Sequence, residues 1–103
     1  MKYFNPMYLE IVSPEATLFS SEVDSVVVPG INGEFEMLNN HAPIVSLLKE
    51  GTVRIKTHSQ SDIANENLHA SIIPAKADKK VLTLNVNSGT IEFKDNKVIV
   101  LAD

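Results

Sequence analysis

The feature that most constrains this chain is an alternation of apolar and polar residues with a period of two, repeated in short runs. Successive side chains of an extended strand point to opposite faces, so such runs form half-buried strands and cannot build a helical stripe. Leu9 and Ile11 alternate with Tyr8 and Glu10, Phe35 and Met37 with Glu34 and Glu36, and Val53 and Ile55 with Arg54 and Lys56. Leu82, Leu84 and Val86 separate from Thr83 and Asn85, Ile91 and Phe93 flank Glu92, and Val98 and Val100 alternate with Ile99 and Leu101. Val23, Ser25 and Val27 alternate with Asp24, Val26 and Val28, which predicts a more fully buried run.

Turn residues punctuate these runs at Ser13-Pro14-Glu15, Pro29-Gly30-Ile31-Asn32-Gly33, Asn39-Asn40-His41-Ala42-Pro43 and Glu50-Gly51. Lys94-Asp95-Asn96-Lys97 predicts a hairpin loop, because Asp and Asn tolerate the backbone angles it needs. Roughly eight to ten short strands with no long helical pattern predict an all-β sandwich or barrel. His58 to Asn67 is polar and lacks the period. It predicts a protruding loop or one helical turn, with Ser59 and Asp62 spaced as a capping box.

A length of 103 residues predicts one domain across 1–103, large enough for a single core. There is no cysteine, so disulfides, thiolate metal sites and cysteine nucleophiles are excluded. Nine basic and 13 acidic residues leave a formal charge of −4, and no stretch clusters the basic ones. That distribution argues against a nucleic acid or an anionic lipid surface as partner. No apolar run approaches the roughly 20 residues of a membrane helix, and Met1 to Met7 lacks an apolar signal core. Any place at a membrane is therefore expected to come through another protein.

Candidates for chemistry are sparse. His41, His58 and His69 lie 17 and 11 residues apart, unlike the short paired spacing of metal ligands, and read as surface or turn histidines. Glu34 and Glu36 share one strand face; paired carboxylates can do acid–base work, but a solvated face explains the spacing more simply. No Gly-x-Ser-x-Gly occurs, and Gly30-x-x-Gly33 leads into a strand without the Lys-Ser/Thr of a phosphate loop. The residues read as a binding or structural module without catalytic residues, metal or cofactor.

The segment Gly33-Glu34-Phe35-Glu36-Met37-Leu38-Asn39-Asn40-His41-Ala42-Pro43-Ile44-Val45 resembles the Gly-Glu…His-Ala-Pro signature of ATP synthase epsilon subunits. Leu9 to Glu15 with Leu18 to Val23 resembles that family's opening strands, and Ser88 to Phe93 with Asn96 and Val98 to Asp103 resembles its closing ones. The resemblance implies a flattened sandwich of two five-stranded antiparallel sheets. It implies a non-catalytic place in the central stalk, between the gamma subunit and the c-subunit ring, peripheral on the cytoplasmic face of a bacterial plasma membrane. The c-ring-facing turn falls on Asn32, Gly33 and Glu34, with Glu34 opposing a basic loop. Gamma-facing positions fall on Ser13, His41, Ala42, Pro43 and Ser46. No nucleotide-binding residue is implied.

Departures from the family pattern carry expectations of their own. Asn39-Asn40 stands where many members have Pro-Gly, and asparagine accepts the same left-handed angles. Asn87-Ser88-Gly89 replaces Ser-Gly-Gly, and Thr57 to Lys80 is longer than usual. The chain stops at Asp103, where longer relatives continue into a helical hairpin that inhibits hydrolysis or binds ATP, so neither property is expected here. Two other readings stand beside this one. A free-standing ligand-binding sandwich would want aromatic platforms, yet Trp is absent and aromatics make up 6%. A small metal-dependent β-fold enzyme would have to use His41, His58 and His69.

Overall fold

The computed structural model describes residues 7–57, 68–78 and 80–103, and the elements among them are ten β-strands. These are β1 (Met7–Val12), β2 (Thr17–Val23), β3 (Ser25–Gly30), β4 (Gly33–Leu38), β5 (Ile44–Leu48), β6 (Gly51–Lys56), β7 (Ile73–Pro74), β8 (Val81–Val86), β9 (Gly89–Lys94) and β10 (Lys97–Ala102). Hydrogen bonding runs in the order β2-β1-β10-β9-β5-β3-β6-β8-β7, with β4 on the free side of β3. The step from β5 to β3 rests on one residue pair, Gly30 with Leu48. The ladder therefore divides there into a first sheet, β2-β1-β10-β9-β5, and a second, β4-β3-β6-β8-β7.

Two five-stranded sheets match the expected architecture, with one correction. β1 runs parallel to β10, pairing Leu9 with Val98 and Ile11 with Val100. An antiparallel pair is obligatory only where a tight turn joins the strands. β1 and β10 come from opposite ends of the chain, and no hairpin constrains their direction.

The alternating positions meet in one core. Leu9 and Ile11 from β1, Ile91 from β9 and Val98 and Val100 from β10 are fully enclosed, as are Val26 and Val28 from β3, Met37 from β4 and Val53 and Ile55 from β6. Each such side chain contributes about 1.5–3 kcal/mol when taken from water. That sum, opposed by chain entropy, holds the two sheets face to face.

The run from Val23 to Val28 is not one strand, as its pattern suggested. The chain changes sheets at Asp24, whose N–H donates to the Lys56 carbonyl at 2.8 Å. Val23 faces the core from β2; after the step Val26 and Val28 do so from β3, leaving Ser25 and Val27 on the other side. β7 was not foreseen, because two residues show no period. The predicted loop or turn at His58 to Asn67, with its Ser59–Asp62 capping box, lies outside the described residues.

Turn chemistry follows the sequence closely. Asp95 and Asn96 have φ of 53° and 62°, the paired positive angles of a two-residue primed hairpin turn. Asn40 has φ 65°, so asparagine supplies the left-handed position. Gly33, at φ 129°, takes an angle that side chains rarely adopt as β3 reverses into β4.

Candidate functional site

The outward positions of the two sheets differ in chemistry. On the first sheet, register aligns Leu47 with Thr90, Thr90 with Leu101, and Leu101 with Val12, making a row across four strands. The next row is Val45, Glu92, Ile99 and Glu10. Val45, Leu47 and Leu101 remain 73, 57 and 53% exposed. The β3–β4 turn abuts this strip, since the Ile31 N–H donates to the Leu47 carbonyl at 3.0 Å, and Ile31 is itself exposed. Large apolar groups thus lie side by side and wet.

On the second sheet the outward face carries a charge ladder, flanked by exposed Leu38 on β4 and Ile73 on β7. Arg54 on β6 reaches across β3 to Glu34 on β4, Nη1 donating to Oε2 at 2.8 Å and Nη2 to Oε1 at 3.1 Å. Lys56 Nζ stands 3.8 Å from Glu36 Oε2. The Arg54 hydrogen bonds hold the Glu34 carboxyl below the usual glutamate range, and Glu34 in turn raises the Arg54 guanidinium. Glu34 and Glu36 thus each face a cation of β6 as part of a solvated ladder. Glu34 is also not a free anion awaiting a partner.

The remaining sequence-predicted residues distribute along the first sheet. Ser13 follows β1, and its hydroxyl closes its own turn, accepting from the Ala16 N–H at 3.2 Å. His41, Ala42 and Pro43 lead into β5 at the opposite end, beside the β9–β10 hairpin. His41 Nδ1–H donates to the Ala42 carbonyl at 2.7 Å, and its ring meets Phe93 edge-on, 5.7 Å between centroids. Ser46 pairs with core-facing Ile91, so it turns inward between outward Val45 and Leu47 and is half-buried. Exposed Asn32 and half-buried Gly33 form the tip beside Ile31.

Ser46-Leu47-Leu48-Lys49 carries a Ser-x-x-Lys spacing, but Lys49 lies beyond the end of β5 and the Ser46 hydroxyl donates to the Leu47 carbonyl at 3.1 Å. At the Ser13 end a shallow depression is lined by Glu15, His69, Asn85 and Asp103, and His69 Nδ1 accepts from the Ser71 N–H at 3.1 Å. Among the described residues no three His, Asp or Glu side chains gather to hold a metal ion.

Sequence reasoning missed Arg54, Asn96 and the Val45–Leu47–Leu101 strip. Ile44-Val45-Ser46-Leu47-Leu48 did carry a signal, being apolar on both faces, but such a run ordinarily marks a strand buried on both sides. Nothing local points to Arg54 or Asn96, whose partners lie 20 and 56 residues away.

Residues 6–65 match the family described as ATP synthase, Delta/Epsilon chain, beta-sandwich domain. An ATP synthase epsilon chain of Campylobacter curvus is 37% identical over 97 residues, covering 94% of this chain and 60% of that one. One of Chlorobaculum tepidum is 33% identical over 95 residues, covering 92% and 86%. The chain thus spans about three-fifths of some relatives and most of others. A Tetrahymena thermophila mitochondrial ATP synthase central stalk/c-ring structure aligns with TM-score 0.68 over 95% of this chain and 63% of the other, at 11% identity. A Euglena gracilis mitochondrial ATP synthase OSCP/F1/c-ring structure aligns with TM-score 0.70 over 94% and 50%, at 13% identity. Those two identities bear on the fold alone. With the matched residues, the ten-strand sandwich and the Gly33–Val45 segment in agreement, the chain belongs to the ATP synthase delta/epsilon-chain β-sandwich family.

Proposed function

We propose that this chain is a non-catalytic central-stalk subunit of an F-type rotary ATP synthase, clamping the gamma subunit to the c-subunit ring. It would sit peripherally on the cytoplasmic face of a bacterial plasma membrane, attached through those partners. The observation that carries the reading is the apolar strip of Val45, Leu47 and Leu101. It lies on the first sheet between the Ser13 end and the His41-Ala42-Pro43 turn, the two ends assigned to gamma. It also adjoins, through Ile31, the Asn32-Gly33-Glu34 tip assigned to the c ring.

Magnitudes divide the labour. An exposed ion pair is too weak to hold a rotor together, and Glu34 would have to give up Arg54 to meet a basic loop. Durable docking needs on the order of 1,000 Å² of buried surface. The apolar strip therefore supplies affinity for gamma, while Glu34 sets register on the ring. The names of the relatives, all ATP synthase epsilon chains among those compared, support the assignment.

Reconstitution tests it. The purified chain should form a stable complex with gamma, and Glu34→Lys, which sets a second cation against Arg54, should weaken attachment of that complex to isolated c rings. Failure of the wild-type chain to bind gamma would sink the proposal; undiminished ring attachment by Glu34→Lys would remove Glu34 from it.

A further inference from the structure

The loop between β4 and β5 has little to hold it from within. Asn39, Asn40, Ala42 and Pro43 are exposed, and its internal bonds are the His41 N–H donating to the Leu38 carbonyl at 3.1 Å and the His41 ring donating to the Ala42 carbonyl. Beyond the His41 ring packed on Phe93, the hydrogen-bonded restraint from outside comes from a side chain in the β9–β10 turn. The Asn40 N–H donates to Asn96 Oδ1 at 2.8 Å, and Asn96 Nδ2 donates to Asn39 Oδ1 at 2.6 Å. The Asn96 carbonyl accepts from the Tyr8 N–H at 3.1 Å, tying the same residue to β1. Asn96 thus joins three segments, and both it and Asn40 occupy left-handed backbone.

We infer that Asn96 is a positioning residue for partner docking, pinning the His41-Ala42-Pro43 turn through Asn39 and Asn40 in the geometry that meets gamma. This rests on the proposed function. An exposed loop that is already ordered loses less entropy when a partner covers it, so the pin acts on affinity more than on stability. It also accounts for asparagine at position 39, where proline would offer no side-chain acceptor; Asn40 is held through its backbone N–H.

The test separates backbone from side chain. Asn96→Gly keeps the left-handed angle, and Asp-Gly is a favoured primed hairpin turn, so the β9–β10 hairpin survives while the pin is lost. Asn96→Asp keeps an acceptor for the Asn40 N–H, and a flipped Asn39 amide can donate to it. Binding of the full chain to gamma would be titrated alongside thermal unfolding and amide exchange at Asn40. Asn96→Gly should bind gamma about tenfold more weakly, as the loss of two hydrogen bonds allows. Its unfolding temperature should hold within about 3 °C, with faster exchange at Asn40, and Asn96→Asp should recover to within about twofold. Unchanged gamma affinity or unchanged Asn40 exchange in the glycine variant would overturn the inference, as would no recovery in the aspartate variant. If the wild-type chain bound no gamma, the functional reading would fall and this inference with it.

Discussion

On the second sheet the outward positions of β4 and β6 carry Glu34, Glu36, Arg54 and Lys56; on the first, those of β5 and β10 carry Val45, Leu47, Ile99 and Leu101. The charged positions of the second face are satisfied within the chain, each of these two carboxylates having a cation across β3, although Leu38 and Ile73 on that sheet are exposed. The apolar row of the first face has no such partner, because exposed apolar side chains find no compensation in water. Covering it gains about 25 cal/mol per Å² removed from water, whereas covering the charge ladder first breaks pairs that already exist. The contrast supports the proposal that one sheet supplies affinity and the other register.

The severest way to break the contrast is to remove what both faces share. Phe93 is 1% exposed, sits in the common core and supports the His41 ring. Phe93→Ala should destabilise the fold by about 3–5 kcal/mol in urea unfolding. A loss under about 1 kcal/mol would mean that the two sheets do not depend on one core.

The next test sets face against face. Val45→Asp with Leu47→Asp should weaken gamma binding about 100-fold, as truncation of buried anchors does, and should change stability little because both side chains are exposed. Glu34→Gln with Arg54→Gln, which removes both partners together, should change gamma binding by less than about threefold. Equal losses from the two pairs would erase the distinction.

A smaller effect sharpens the charged side. Glu34 titrates below the usual glutamate range because Arg54 donates to it. A depressed carboxyl contributes stability that is present above its ordinary value and lost as pH falls through the lowered one. Carboxyl-carbon NMR should therefore place the Glu34 midpoint below that range in the wild type and move it upward in Arg54→Gln. An identical midpoint in both would show that the pair does not persist in solution.

The smallest effect concerns Ser25, which is buried on β3 and whose Oγ has no hydrogen-bond partner among the described residues. Removing an unpaired buried hydroxyl leaves nothing orphaned, so Ser25→Ala should be neutral or stabilising, within about 0.5 kcal/mol. A loss above about 1 kcal/mol would reveal a partner for that oxygen.

How much of this could be read in advance varies by residue. Leu9, Ile11, Val53, Ile55, Leu82, Leu84, Val98 and Val100 all face the core as their alternation required. Asp95, Asn96 and Asn40 adopt the left-handed angles their side chains tolerate. Val45 and Leu47 went unread. An apolar run of that kind ordinarily marks a strand covered on both sides, yet β5 closes the first sheet's path at the Gly30–Leu48 junction with its outer face bare. Arg54 read as the polar half of an alternation, and nothing in its neighbours named Glu34.

For most strands the amino-acid order alone determined which side each residue takes and where the chain turns, because both depend on angles within a few residues; the sheet change at Asp24 was the exception. Tertiary structure alone decided that β1 lies parallel to β10, that Arg54 closes on Glu34, that Asn96 pins Asn39 and Asn40, and which apolar face stays uncovered. Those outcomes depend on which strands become neighbours, and neighbours are chosen by burial summed over the whole sandwich rather than by any local period.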